Sequence, residues 1–66
     1  MAYLTMQRRR MLPASDFVFP ERRPGHGSYP IPDEHHARLA LQFSAGTADE
    51  EAVRRAVAAR YPHLVS

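Results

Sequence analysis

The residue types in this chain that can do chemistry are four histidines, nine arginines and seven carboxylates, and there is no cysteine. His35 and His36 are adjacent. On a helix they stand about 100° apart, so they cannot grip one ion as an i,i+4 pair does. His26 lies in a loop and His63 follows the last helical pattern. A site made from His26, one helix histidine and an acid is a conceivable metal arrangement. The simpler expectation is a half-buried His36 on the inner face of its helix, the other histidines in solvent, and no metal. The lack of cysteine removes thiolate ligands and thiol nucleophiles. Ser15, Ser28, Ser44 and Ser66 sit in no nucleophile elbow. Ser15-Asp16 with a later His36 has the residue types of a triad without its logic, and Ser15 reads as a turn or cap residue. A chain of 66 residues also lacks the bulk to enclose a pocket of the usual ~300 Å³ or more. The expectation is no catalytic residue, no cofactor and no small-molecule substrate: not an enzyme.

The arginines are clustered. Arg8, Arg9 and Arg10 form one run and Arg22 and Arg23 another. These five are the candidate contact residues for a partner or for nucleic acid. Phosphate could meet either run, and Phe17, Phe19 and Tyr29 are types on which bases stack. Against this, the formal charge is only +2, weaker than the concentrated basic face of a nucleic-acid binder. The second helical pattern opens on Asp49, Glu50 and Glu51, which repel phosphate where a helix-turn-helix reader would present its contact residues. The aromatic rings read better as core. Arg54 and Arg55 read as a solvated helix face.

These groups must be positioned by few elements. Residues 1–11 form an arm with Tyr3, Leu4, Met6 and Met11 around the arginine run, and Pro13 ends any helix at about Leu12. Residues 12–66 are one small domain. Between 12 and 32 lie five of the six prolines and two of the three glycines, which forbid a long helix. Phe17 and Phe19 share one face of an extended piece, and Tyr29 and Ile31 one face of another. The turn signals at Pro24-Gly25 and Gly27 between them suggest a short two-stranded ribbon.

A helix is expected over 33–45, capped by Asp33, with His36, Ala40 and Phe43 on one face, Leu39 beside them and Leu41 off the stripe. A second is expected over 48–61, with Val53, Ala56, Val57 and Tyr61 on one face. Its charges suit the helix dipole, and Glu50–Arg54 and Glu51–Arg55 are i,i+4 pairs. Gly46 closes the first helix in the left-handed conformation. Thr47 and Glu50 have capping-box spacing for the second. The fold class expected is therefore α+β: an N-terminal arm, a two-stranded β-ribbon, and an antiparallel two-helix hairpin. Phe17, Phe19, Tyr29 and Ile31 are expected to pack on Leu39, Phe43, Val53, Val57 and Tyr61.

The order of these residues has a precedent. Leu12-Pro13-Ala14-Ser15-Asp16-Phe17-Val18-Phe19-Pro20, Arg23, Tyr29-Pro30-Ile31-Pro32-Asp33, His36-Ala37-Arg38, Gly46-Thr47 and Arg60-Tyr61-Pro62 together resemble a small uncharacterised module of phage and prophage proteins and short bacterial proteins. The resemblance runs from Leu12 to Tyr61. The chain departs from it in Pro24-Gly25-His26-Gly27, where the module has a shorter link, and in Leu39-Ala40-Leu41, where the module often has a polar residue. The resemblance implies a compact recurrent unit with a phage connection, and it implies no reaction and no ligand.

A chain this short buries only about 60% of its unfolded surface, so its stability is marginal without a staple. With disulfides excluded, a second copy or another protein is the expected support. No apolar run approaches the ~20 residues of a membrane span. Near the N-terminus the charges follow the apolar residues, the reverse of a secretory signal, so no membrane and a cytoplasmic location are expected. The functional expectation is a non-enzymatic protein-interaction module of phage or prophage origin. The alternative is a small nucleic-acid-binding protein using the arginine-rich arm and loop.

Overall fold

Asp33 begins the helical half of the molecule. Its backbone is extended, and its Oδ1 accepts the His36 backbone N–H at 2.9 Å, satisfying one of the donors a helix start leaves unpaired. The computed structural model describes residues 5–23 and 25–65, without the side chain of His26. Tyr3 and Leu4 of the arm, Pro24 of the loop turn and Ser66 lie outside the described residues. Helix α1 spans Met6–Met11, α2 Glu34–Ser44 and α3 Glu50–Arg60, with 3₁₀ turns at Ala14–Asp16, Pro20–Arg22, His26–Ser28 and Pro62–Leu64.

The link from α2 to α3 is stitched by its own side chains. Gly46 takes φ 81°, as a left-handed helix terminus requires. The Thr47 N–H donates to the Ser44 carbonyl at 3.0 Å. The Thr47 hydroxyl donates to the same carbonyl at 2.6 Å and accepts the Asp49 N–H at 3.2 Å. Because the Thr47 N–H is already used, the Glu50 carboxylate reaches one residue further back and accepts the Gly46 N–H at 3.1 Å. The capping box anticipated at Thr47 is thus displaced by one position. It also takes Glu50 away from Arg54, while Arg55 does bond Glu51 at 3.2 Å. The hairpin is antiparallel: His63, just past the end of α3, bonds Glu34 at the start of α2.

The helix pair meets through small side chains. Ala37, Ala40 and Ser44 of α2 are buried, and Val53 and Val57 of α3 are fully buried. Leu41 packs on this cluster, completing an i, i+3, i+4, i+7 stripe along α2. The face anticipated from bulk (His36, Ala40 and Phe43) is therefore turned by about 100°. Phe43 is 63% exposed, not core, and Leu39 is half-buried. The reason is steric. A stripe of alanine and serine lets the α3 backbone come close, with two valines filling the gap, and a phenylalanine there would hold the helices apart.

No strand occurs among the described residues, so the α+β expectation gives way to a helical fold with irregular turns. Only an isolated antiparallel bridge joins Phe17 and Pro30. The two extended pieces do run side by side: the N–H groups of Val18, Phe19 and Ile31 donate to the carbonyls of Tyr29, Ser28 and Asp16 at 3.2, 3.1 and 2.7 Å. Donation from two consecutive residues is not the alternating pattern of a ladder. Pro20, Pro30 and Pro32 have no N–H to give. Tyr29 is left-handed, at φ 50° and ψ 74°, which breaks the alternation of faces at the crossing point. The segment instead wraps the helix pair. Phe17 and Ile31 are buried, and Val18, Phe19, Tyr29 and Tyr61 pack on the central cluster.

Candidate interaction surface

Helix α1 carries three of the five candidate arginines. Thr5 caps it, accepting the Arg8 N–H at 3.2 Å, and it ends at Leu12 before Pro13. None of its residues is buried. Arg9 anchors it, donating to the Gly25 carbonyl at 2.9 Å. Arg8 and Arg10, about 100° to either side of Arg9 on the helix, are exposed. The second arginine pair lies in the turn leading to Gly25, whose N–H donates to the Arg22 carbonyl at 3.0 Å. One bond thus brings two runs separated in sequence onto neighbouring elements.

The arginines differ in what they already do. Arg22 pairs with Asp49 at 2.9 Å, across 27 positions of sequence. It also donates to the Gly27 carbonyl at 3.3 Å and lies over the Phe19 ring at 4.0 Å. Asp49 therefore holds the guanidinium protonated even more firmly than usual. Arg23 is exposed, its Nε–H donating to the Pro20 carbonyl at 3.0 Å. Arg60, not singled out from sequence, donates to Asp16 at 2.9 Å and so pins the loop segment to the end of α3. The rings read as possible base-stacking platforms are engaged. Phe17 is 5% exposed, and Phe19 meets Tyr29 edge-on at 6.2 Å.

The residue types of the hypothetical triad are tied to other groups: Asp16 bonds Arg60, and His36 bonds Asp33. His36 Nδ1 lies 2.7 Å from Asp33 Oδ1. Burial opposes ionisation of Asp33, but the backbone N–H and ring of His36 bond its carboxylate and outweigh that, holding it below its ordinary value. An ionised carboxylate only accepts, so Nδ1 carries a proton. Nε2 is buried without a partner. The hydrogen bond from His63, with added attraction to His63 and Arg38, holds Glu34 below its ordinary value despite some desolvation. His35 meets His36 edge-on at 5.4 Å. Among the described residues, no three His, Cys, Asp or Glu side chains are placed to hold one metal ion. A surface depression of about 250 Å³ lies between α1 and the start of α2, lined by Arg8, Met11, Leu12, Pro32 and Asp33.

The feature that sequence reasoning missed is Phe43. It stands out from α2 beside exposed Gln42, Ala45, Gly46 and Thr47, on the side of the helix turned away from the buried stripe. The signal was present: Ala37, Ala40 and Ser44 recur at helical spacing, but they are small and one is polar.

A phage protein carries a similar segment. Over 53 residues the chain is 47% identical to Cargo protein 1 of Bacteroides phage crAss001, covering 80% of this chain and 6% of the phage protein. With 53 of 66 residues matched, at most 13 lie outside, so the match includes residues 14–53 wherever it begins. It therefore takes in the Arg22–Arg23 turn, all of α2 and the start of α3. The similarity supports the phage connection implied by the residue pattern. No family model matches the chain, and no solved structure matches it. No helix among the described residues is long and apolar enough to cross a membrane.

Proposed function

We propose that this chain is a non-enzymatic protein-interaction module of a phage-related protein, acting in the cytoplasm, with the Phe43 side of α2 as its contact face. The observation that carries the reading is the 63% exposure of Phe43, about 100° around the helix from the buried stripe of Ala37, Ala40 and Ser44. Aromatic residues, Phe among them, are enriched at the cores of protein interfaces. In the crAss001 protein a similar segment makes up 6% of the chain, as suits a unit that works against other protein surface. That protein's name, cargo, describes something carried. A carried module needs a docking surface more than a reaction chamber.

The test is a photoreactive phenylalanine analogue at position 43 in the native host, compared with the same analogue at Ala59, an exposed site on α3. Adducts formed from position 43 and not from 59 support the reading, whether they contain a second copy or another protein. Indistinguishable adduct patterns, or none, overturn it. Sedimentation of the purified chain across a wide concentration range then tells self-association from a different partner.

A further inference from the structure

We infer that α1 and the Arg22–Arg23 turn form a second, separate surface that contacts the phosphate backbone of DNA without reading its sequence. This goes beyond the Phe43 face and does not depend on it. Three observations carry it. Arg8, Arg9 and Arg10 are consecutive on a helix that contains no acid. The Arg9 bond to the Gly25 carbonyl ties that helix to the residue whose N–H bonds the Arg22 carbonyl. Arg8, Arg10 and Arg23 remain exposed, fanned over two elements instead of converging on one point.

A fan of guanidinium groups suits an extended polyanion. Each planar fork can bond a phosphate in two places, and neighbouring phosphates offer a repeat of such sites. Acids stand near the arginines, and one of them already pairs with Arg22. Asp33 lines the same surface depression as Arg8 and has Oδ1 bonded to His36; Asp49 pairs with Arg22 and Glu21 is exposed within the turn, so the cations left for phosphate are Arg8, Arg10 and Arg23. The rings that would stack on bases are occupied, Phe17 in the core and Phe19 under Arg22. Contact therefore falls on the backbone, which positions but does not specify. With six residues, α1 is too short to lay an apolar face into a membrane surface, which makes nucleic acid the better match.

The test is fluorescence anisotropy of the full chain with a short mixed-sequence DNA duplex, titrated over a range of salt. Each phosphate neutralised contributes about −0.9 to the slope of log affinity against log salt. Arg8, Arg10 and Arg23 together give about −2.7 on that basis. The R8Q/R10Q variant should bind more weakly and lose about 1.8 of that slope, with an unchanged melting curve because both side chains are exposed. The R54Q/R55Q variant removes the same charge from α3 and should keep the slope. A scrambled duplex of equal length should bind equally well. Absence of salt-dependent binding at low salt, equal loss in the two double variants, or stronger binding to phosphatidylserine vesicles than to DNA would overturn the inference.

Discussion

Replacing Val57 by alanine tests the helix interface quantitatively. Val57 is fully buried between α2 and α3. The change removes two methyl groups, about 0.8 kcal/mol each in transfer free energy. The cavity left behind adds to this, and the better helix propensity of alanine returns about 0.5 kcal/mol. The net cost is about 1.5–2.5 kcal/mol. A chain of this size has about 3–10 kcal/mol in all, so the loss is a large share of it. Urea unfolding followed by circular dichroism should show a lower midpoint with the slope unchanged. Phe43→Ala removes far more side chain, yet should shift stability by no more than about 0.5 kcal/mol, since it lies at the surface. If Phe43→Ala costs ~3–5 kcal/mol, the amount usual for a buried ring, or if Val57→Ala is silent, the packing described above is wrong.

Other perturbations have equally definite outcomes. Gly46→Ala should cost about 1 kcal/mol through its φ of 81° alone, because nothing lies near the added methyl; Gly46→Asn should recover part of the loss in the same urea assay. A double-mutant cycle on Asp16 and Arg60, partly exposed partners, should give a coupling of about 0.2–1 kcal/mol, and zero coupling would show that the link does not hold the loop to α3. Asp33 and Glu34 are both held below their ordinary values of 3.8 and 4.5. Their contribution is complete above those values and is lost as pH falls through the lowered ones. The melting temperature should therefore drop on acidification through that range, and D33N/E34Q should flatten the drop; an unchanged profile in the variant would remove these two groups as its cause.

What the sequence revealed depended on the range of the interactions. The cap at Asp33, the stop before Pro13 and the left-handed Gly46 are set within a few residues, and all appear where the local chemistry places them. The ribbon failed because Tyr29 adopts a left-handed backbone that no local residue preference announces, and the prolines around it withhold donors. The face of α2 was misjudged because bulk was weighted over spacing: Phe43 drew the core reading from Ala37 and Ser44, whose value, like that of Ala40, lies in being small. The two arginine runs were visible. That Arg9 joins them, that Arg22 reaches Asp49 and that Arg60 reaches Asp16 are long-range facts set by the fold.

The most direct measurement replaces the three phenylalanines by a fluorinated analogue and records their fluorine resonances with a soluble paramagnetic agent. The resonance of Phe43 should broaden strongly while that of Phe17 stays sharp. A protected Phe43 in the free chain would contradict both the packing of the helix pair and the contact face built on it.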